Sequence, residues 1–85
     1  MYKRAIYWFK RDPLKNRIIK PGKGYEEIVL ILKGKVRATG IWNGILTEGQ
    51  AIHIVEEESL YFENLSSEET IYIIAGGHSE KEHHH

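Results

Sequence analysis

The chain contains no cysteine and only two prolines in its 85 residues. Without cysteine there is no disulfide framework, no thiolate nucleophile and no zinc site of the cysteine type, and a reducing compartment, the cytoplasm, is the expected home. Net charge is missing too, with 12 Lys+Arg set against 12 Asp+Glu. A neutral chain makes no long-range field to draw in a phosphate backbone or an anionic membrane, so no nucleic acid and no membrane are expected as partners. The apolar run from Ile28 to Leu32 spans five residues, far short of the ~20 that a membrane helix needs. No signal-peptide core opens the sequence. At this length one domain is expected, burying roughly 60–65% of its unfolded surface, a thin margin that a partner subunit would widen.

What is present is β signal. The segment from Tyr2 to Lys10 is rich in aromatic and β-branched residues, and Asp12-Pro13 should break it because proline lacks the N–H of a ladder. Arg17 to Lys20 reads as a short second strand closed by Pro21-Gly22, and Glu26 to Leu32 as a third. In the third, Ile28, Leu30 and Leu32 alternate with Val29 and Ile31, so both faces are apolar and one must meet something other than the interior. Lys35 to Trp42 and Ile45 to Thr47 flank Asn43-Gly44, which predicts a hairpin with a two-residue type I′ turn. Gln50 to Val55, Leu60 to Glu63 and Thr70 to Ala75 complete eight short strands. Only Asp12 to Arg17 has room for a helical turn. The pattern is all-β, a small antiparallel barrel or sandwich over residues 1–75, followed by a polar tail over 76–85. The three terminal histidines read as the remnant of a tag and carry no functional inference.

The order of strands and turns resembles the cupin family, a jelly-roll type of double-stranded β-helix. Glu27, six residues and Gly34 match the second half of the first cupin motif, G-x5-H-x-H-x3/4-E-x6-G. Gly49 to Asn64 matches the second, G-x5-P-x-G-x2-H-x3-N, in frame and at both ends. The likeness covers about residues 17–75. In cupins two histidines of the first motif, its glutamate and the histidine of the second usually hold a divalent metal inside the barrel. Leu60 stands at the last of these positions, and too few residues lie between Gly22 and Glu27 to hold the histidine pair. One carboxylate does not fix a transition metal. The resemblance therefore implies the fold without the metal, and no cofactor is expected. Val55 and Glu57 replace the proline and glycine of the second motif's turn.

If this frame holds, Glu27, Val29 and Ile31 face the barrel interior, opposite Ile52, Ile54, Leu60 and Phe62. A carboxyl in apolar surroundings should have a raised pKa and can anchor a ligand. The other reading places Glu27 near the mouth, in water or paired with a nearby Lys or Arg as a structural residue. A shift of one residue in the frame would put Glu26 inside instead. The expected ligand site is Glu27, Tyr25, Val29, Ile52, Ile54, Leu60 and Phe62. His53 falls on the outer face with no catalytic partner in the sequence, the serines Ser59, Ser66 and Ser67 sit at turns, and no nucleophilic triad emerges. Gly22-Lys23-Gly24 lacks the spacing of a phosphate loop and reads as a tight turn, and Glu56-Glu57-Glu58 as a solvated one. Tyr7, Trp8 and Phe9, with Ile28, Leu30 and Leu32, are expected at the interface of a homodimer; cupins are commonly dimers, which the resemblance adds. Three functions follow: a non-catalytic module holding a sugar or metabolite in the lumen; a metal-independent isomerase or epimerase using Glu27 with Tyr25 or Tyr61; or a structural or protein-interaction domain with a lumen filled by side chains.

Overall fold

The computed structural model describes residues 8–78, with Phe9 by its backbone alone. Eight strands follow in order: β1 (Trp8–Pro13), β2 (Arg17–Ile19), β3 (Tyr25–Lys33), β4 (Lys35–Gly40), β5 (Gly44–Thr47), β6 (Ala51–Val55), β7 (Leu60–Asn64) and β8 (Ile71–His78). They form two four-stranded sheets, β1-β8-β3-β6 and β2-β7-β4-β5, in which every pairing is antiparallel. No described residue is helical, Asp12 to Arg17 included, and so no helix is long and apolar enough to cross a membrane.

Alternation along the strands supplies the core between the sheets. Val29 and Ile31 from β3, Val36 and Ala38 from β4, Ile54 from β6, and Leu60 and Phe62 from β7 all have 0% exposure. Each of these side chains apart from that of Ala38 contributes roughly 1.5–3 kcal/mol by leaving water. Tyr72 and Ile74 from β8 close the same cluster.

Several boundaries differ from the sequence expectation, each for a local reason. β1 runs through Asp12 to Pro13, which pairs with Ile71. Proline is tolerated there because β1 is an edge strand and its outer side has no ladder to lose. β8 continues past Ala75 through Gly76 and Gly77 to His78, so these three residues belong to the sheet and not to the tail. Gly77 is paired with Glu26 and His78 with Tyr25.

The β4-β5 hairpin forms, but its turn is not the two-residue type I′. The last pair of the ladder is Ala38 with Gly44, leaving a longer loop, and neither Asn43 nor Gly44 has a positive φ. Asn43 acts instead through its side chain, whose Oδ1 accepts a hydrogen bond from the Gly40 N–H at 3.3 Å. Gly44 leaves room for the Trp42 ring, which occupies the space a Cβ would take.

The residues shared with the cupin motifs have structural tasks. Gly34 turns the chain between β3 and β4 at φ +100°, against the side chain of Thr70. Asn64 holds the β7-β8 connection: its Oδ1 accepts from the Ser66 N–H at 2.9 Å and from the Thr70 hydroxyl at 2.7 Å. Glu57, which stands where the second motif has glycine, adopts φ 73°, a left-handed conformation that favours glycine. The acidic triplet is more than a solvated turn. Glu56 accepts the Gly24 N–H at 2.7 Å and Glu58 accepts the Val55 N–H at 3.0 Å, so two of its carboxylates pin the loops at one end of the barrel.

Candidate functional site at the barrel mouth

The inward row of β3 is Tyr25, Glu27, Val29 and Ile31. Burial rises steadily along it, from 42% exposure at Tyr25, through a half-buried Glu27, to complete burial at Val29. Glu27 thus stands at the rim of the core and not in its middle. Across the sheet it pairs with Gly76 on one side and Ile54 on the other, and Gly76 pairs in turn with Trp8. Directly opposed residues in an antiparallel ladder share a face, so Trp8, Gly76, Glu27 and Ile54 form one inward row.

Gly76 decides what this row can hold. A Cβ there would lie 2.5 Å from Cζ2 and 2.8 Å from Nε1 of Trp8. Only glycine leaves the indole this space over β8, between the edge strand and Glu27. Tyr25 flanks the site from the next inward position, with its ring edge-on to His78 at 4.9 Å between centroids. The turn Gly22-Lys23-Gly24, closed by the Tyr25 N–H to Gly22 carbonyl bond at 3.0 Å, brings Gly22 beneath the Tyr25 ring. Together Trp8, Gly22, Tyr25, Glu26, Glu27 and Gly76 line a cavity of about 350 Å³.

The electrostatics of the cavity centre on Glu27. Burial pushes its carboxyl above the ordinary value of 4.5, and the Arg17 guanidinium offsets this only in part. Arg17 donates from Nη1 to the Tyr72 hydroxyl at 3.1 Å. A second cavity, of about 420 Å³, opens beside Asp12, Lys15, Arg17 and Tyr72. The two openings differ in charge: the second carries cations, whereas no Lys or Arg lines the mouth among the described residues. Glu26 has the opposite parity to Glu27 and directs its carboxylate to His53 Nε2 at 2.5 Å on the outer face.

The expected ligand residues therefore separate into two groups. Glu27 and Tyr25 line an accessible cavity. Val29, Ile54, Leu60 and Phe62 have no exposed surface, so no water-sized space adjoins them, and Ile52 packs against that core from a partly buried position. Tyr61 pairs with Ile18 and Thr39, neighbours on the face opposite to buried Leu60, and is not brought to Glu27. Trp8, Gly22 and Gly76 complete the mouth without having been singled out for it. The glycines gave no side-chain signal, and Trp8 reads as an outward residue until the β1-β8 register is known.

The expected interface residues separate in the same way. Ile28, Leu30 and Leu32 lie on the outer face of β3, with Ile28 at 42% and Leu32 at 36% exposure. Trp8 belongs to the inward row. Tyr7 lies outside the described residues, and for Phe9 the backbone pairs with Ala75.

No protein-family model matches the sequence, and no curated protein matches it either. Solved structures do. One is a predicted oxalate decarboxylase from Thermotoga maritima, with a TM-score of 0.75 and 19% identity over 87% of this chain and 68% of that one. Another is the Cnp3 cupin domain of Schizosaccharomyces pombe, with a TM-score of 0.69 and 14% identity over 93% of this chain and 62% of that one. The architecture is an antiparallel jelly-roll barrel closed at its centre and open at one end. It is the cupin fold, here as a small barrel with Leu60 where the second motif has histidine. Among the described residues no group of three or more His, Asp or Glu side chains is placed to hold a metal ion.

Proposed function

We propose that the protein is a non-catalytic binding module that takes a small ligand, a sugar or another metabolite, at the mouth of the barrel. The observation that carries this reading is the cavity walled by Trp8, Tyr25 and Glu27, two aromatic rings and a polar anchor beside a sealed core. Rigid rings at a half-open mouth supply contact area at low entropic cost, and a carboxyl fixes orientation. An isomerase reading is weaker, because Tyr61 points elsewhere and Tyr25 is left as the one other acid or base on the wall that is not committed to the outer face. Native mass spectrometry of the full chain, followed by amide and indole NMR with the compounds recovered, tests the proposal. A bound compound shifting Trp8, Tyr25 and Glu27 is the expected result; shifts confined to the opening beside Arg17, or a chain that takes up no compound from a metabolite extract, would overturn it.

A second reading, as a protein-interaction unit, draws on the outer face of β3. Ile28, Leu30 and Leu32 form an apolar strip flanked by Ala75 and Ile73 of β8. A homodimer packed through this face would remove that surface from water and widen the stability margin of a small core. Sedimentation at micromolar concentration tests it, with a monomer as the refuting outcome. The cysteine-free composition fits the cytoplasm as the place where either function is carried out.

A further inference from the structure

The mouth has a chemical bias that narrows the class of ligand, and this step rests on the mouth being the binding site. Its wall presents the indole of Trp8, the phenol of Tyr25 and the carboxyl of Glu27, with no Lys or Arg side chain among the described lining residues. Both rings are well exposed, at 39% for Trp8 and 42% for Tyr25, so their surfaces are open to a ligand. Aromatic faces attract cations through their quadrupole, most strongly when the cation is poorly hydrated and large. An ionised carboxylate beside them completes the complement by neutralising the charge.

From this arrangement we infer that the mouth is a site for an organic cation, an alkylated ammonium group seated between Trp8 and Tyr25 with Glu27 as its counter-ion. A sugar would be served by ring faces too, but it asks for several hydrogen-bonding partners around its hydroxyls. The wall offers few of them: Gly22 and Gly76 bring no side chain, and the Glu26 carboxylate is engaged by His53. The desolvation felt by Glu27 supports the assignment, since a bound cation would relieve it. Arg17 fills that role only in part: its guanidinium offsets some of the effect of burial on Glu27, but it is bonded to the Tyr72 hydroxyl and borders the other opening. The cavity, about 350 Å³, has room for a trimethylammonium head group with a short tail.

Titration of the full chain with choline, followed by Trp8 indole and backbone NMR, tests the inference against its uncharged isostere 3,3-dimethylbutan-1-ol and against methyl glucoside. Choline should shift Trp8, Tyr25 and Glu27 in a saturable manner, and the isostere should bind about tenfold more weakly because it keeps the shape and loses the charge. Glu27→Gln should weaken choline severalfold with little effect on the isostere, and Trp8→Leu should weaken it while the remaining amide spectrum stays folded. Equal binding of choline and the isostere, or shifts at the mouth from the glucoside and not from choline, would overturn the cation assignment and leave the mouth as the site. If none of the three probes moves these resonances, the cation assignment fails, and the mouth itself is then judged by the separate search for a copurified compound.

Discussion

Two stretches of the same strand face, four residues apart, behave as different materials. At Val29 and Ile31 the inward side of β3 is sealed against β4 and β7, while at Tyr25 and Glu27 it borders a cavity. Both pairs obey the same alternation and lie in one continuous ladder with β8. What changes is the neighbour across the interior. Leu60, Phe62, Val36 and Ala38 fill the middle, whereas at the mouth Gly76 and Gly22 withhold side chains and leave the space to two aromatic rings. A barrel of this fold can thus be closed at its centre and still keep a cavity, provided small residues hold one end open.

The contrast can be broken most forcefully from the centre. Phe62→Ala removes a fully buried ring and should cost about 3–5 kcal/mol in urea unfolding, with Trp8 and Tyr25 little altered in whatever fraction remains folded. A loss below about 1 kcal/mol would show that the centre is loosely filled. Next in size is the Glu57→Gly substitution, which relieves a left-handed backbone at φ 73° and should stabilise the fold by about 1 kcal/mol, seen as a higher denaturation midpoint. Lost stability would mean that Glu57 makes a contact worth more than its strain.

At the mouth the expected effects on stability are smaller and the signals more local. Gly76→Ala places a methyl group within 2.5 Å of the Trp8 ring, and the half-exposed indole should swing outward. The checks are a red shift in tryptophan emission and the loss of choline binding. An unchanged emission maximum would put the ring elsewhere. The mildest effect is that of Glu27→Gln on the pH dependence of stability. Because the folded-state pKa of Glu27 lies above its ordinary 4.5, the native state binds this proton more tightly than the unfolded state does. Stability contributed through this group is therefore lost as pH rises from about 4.5 through the raised value, and is unaffected well below it. The Gln variant should gain on the wild type across that window and match it in acid. A difference of the opposite sign would place the Arg17 attraction above the cost of burial.

The cupin likeness was legible because the residues that carry it bend the chain. Gly34, Gly49 and Asn64 sit where positive φ or side-chain caps are needed, and their spacing matches the motifs although Leu60 stands where the second motif has histidine. The inward set of β3, β6 and β7 was legible through alternation alone, since a period of two fixes the face once one position is assigned. Asn43-Gly44 does not fix its own turn, because the same glycine can serve positive φ or make room for a ring, and a sequence does not distinguish these. The last strand was cut short for a related reason: Gly76 and Gly77 look like a linker until their pairing with Glu26, Glu27 and Trp8 gives them a place.

The sequence by itself determined an all-β barrel of cupin type, an inward direction for Glu27 that hangs on the frame of β3, and a leucine at position 60 where the second motif has histidine. These are local properties, written in parity, turn chemistry and the donor atoms a side chain has or lacks. Only the tertiary structure decided that the lumen is filled, that Trp8 faces inward across Gly76, and that Glu27 lies at an open rim instead of in a buried pocket. Those outcomes depend on how far the opposing sheet reaches and on which residues meet across it, distances between strands that are remote in the chain and that no periodicity records.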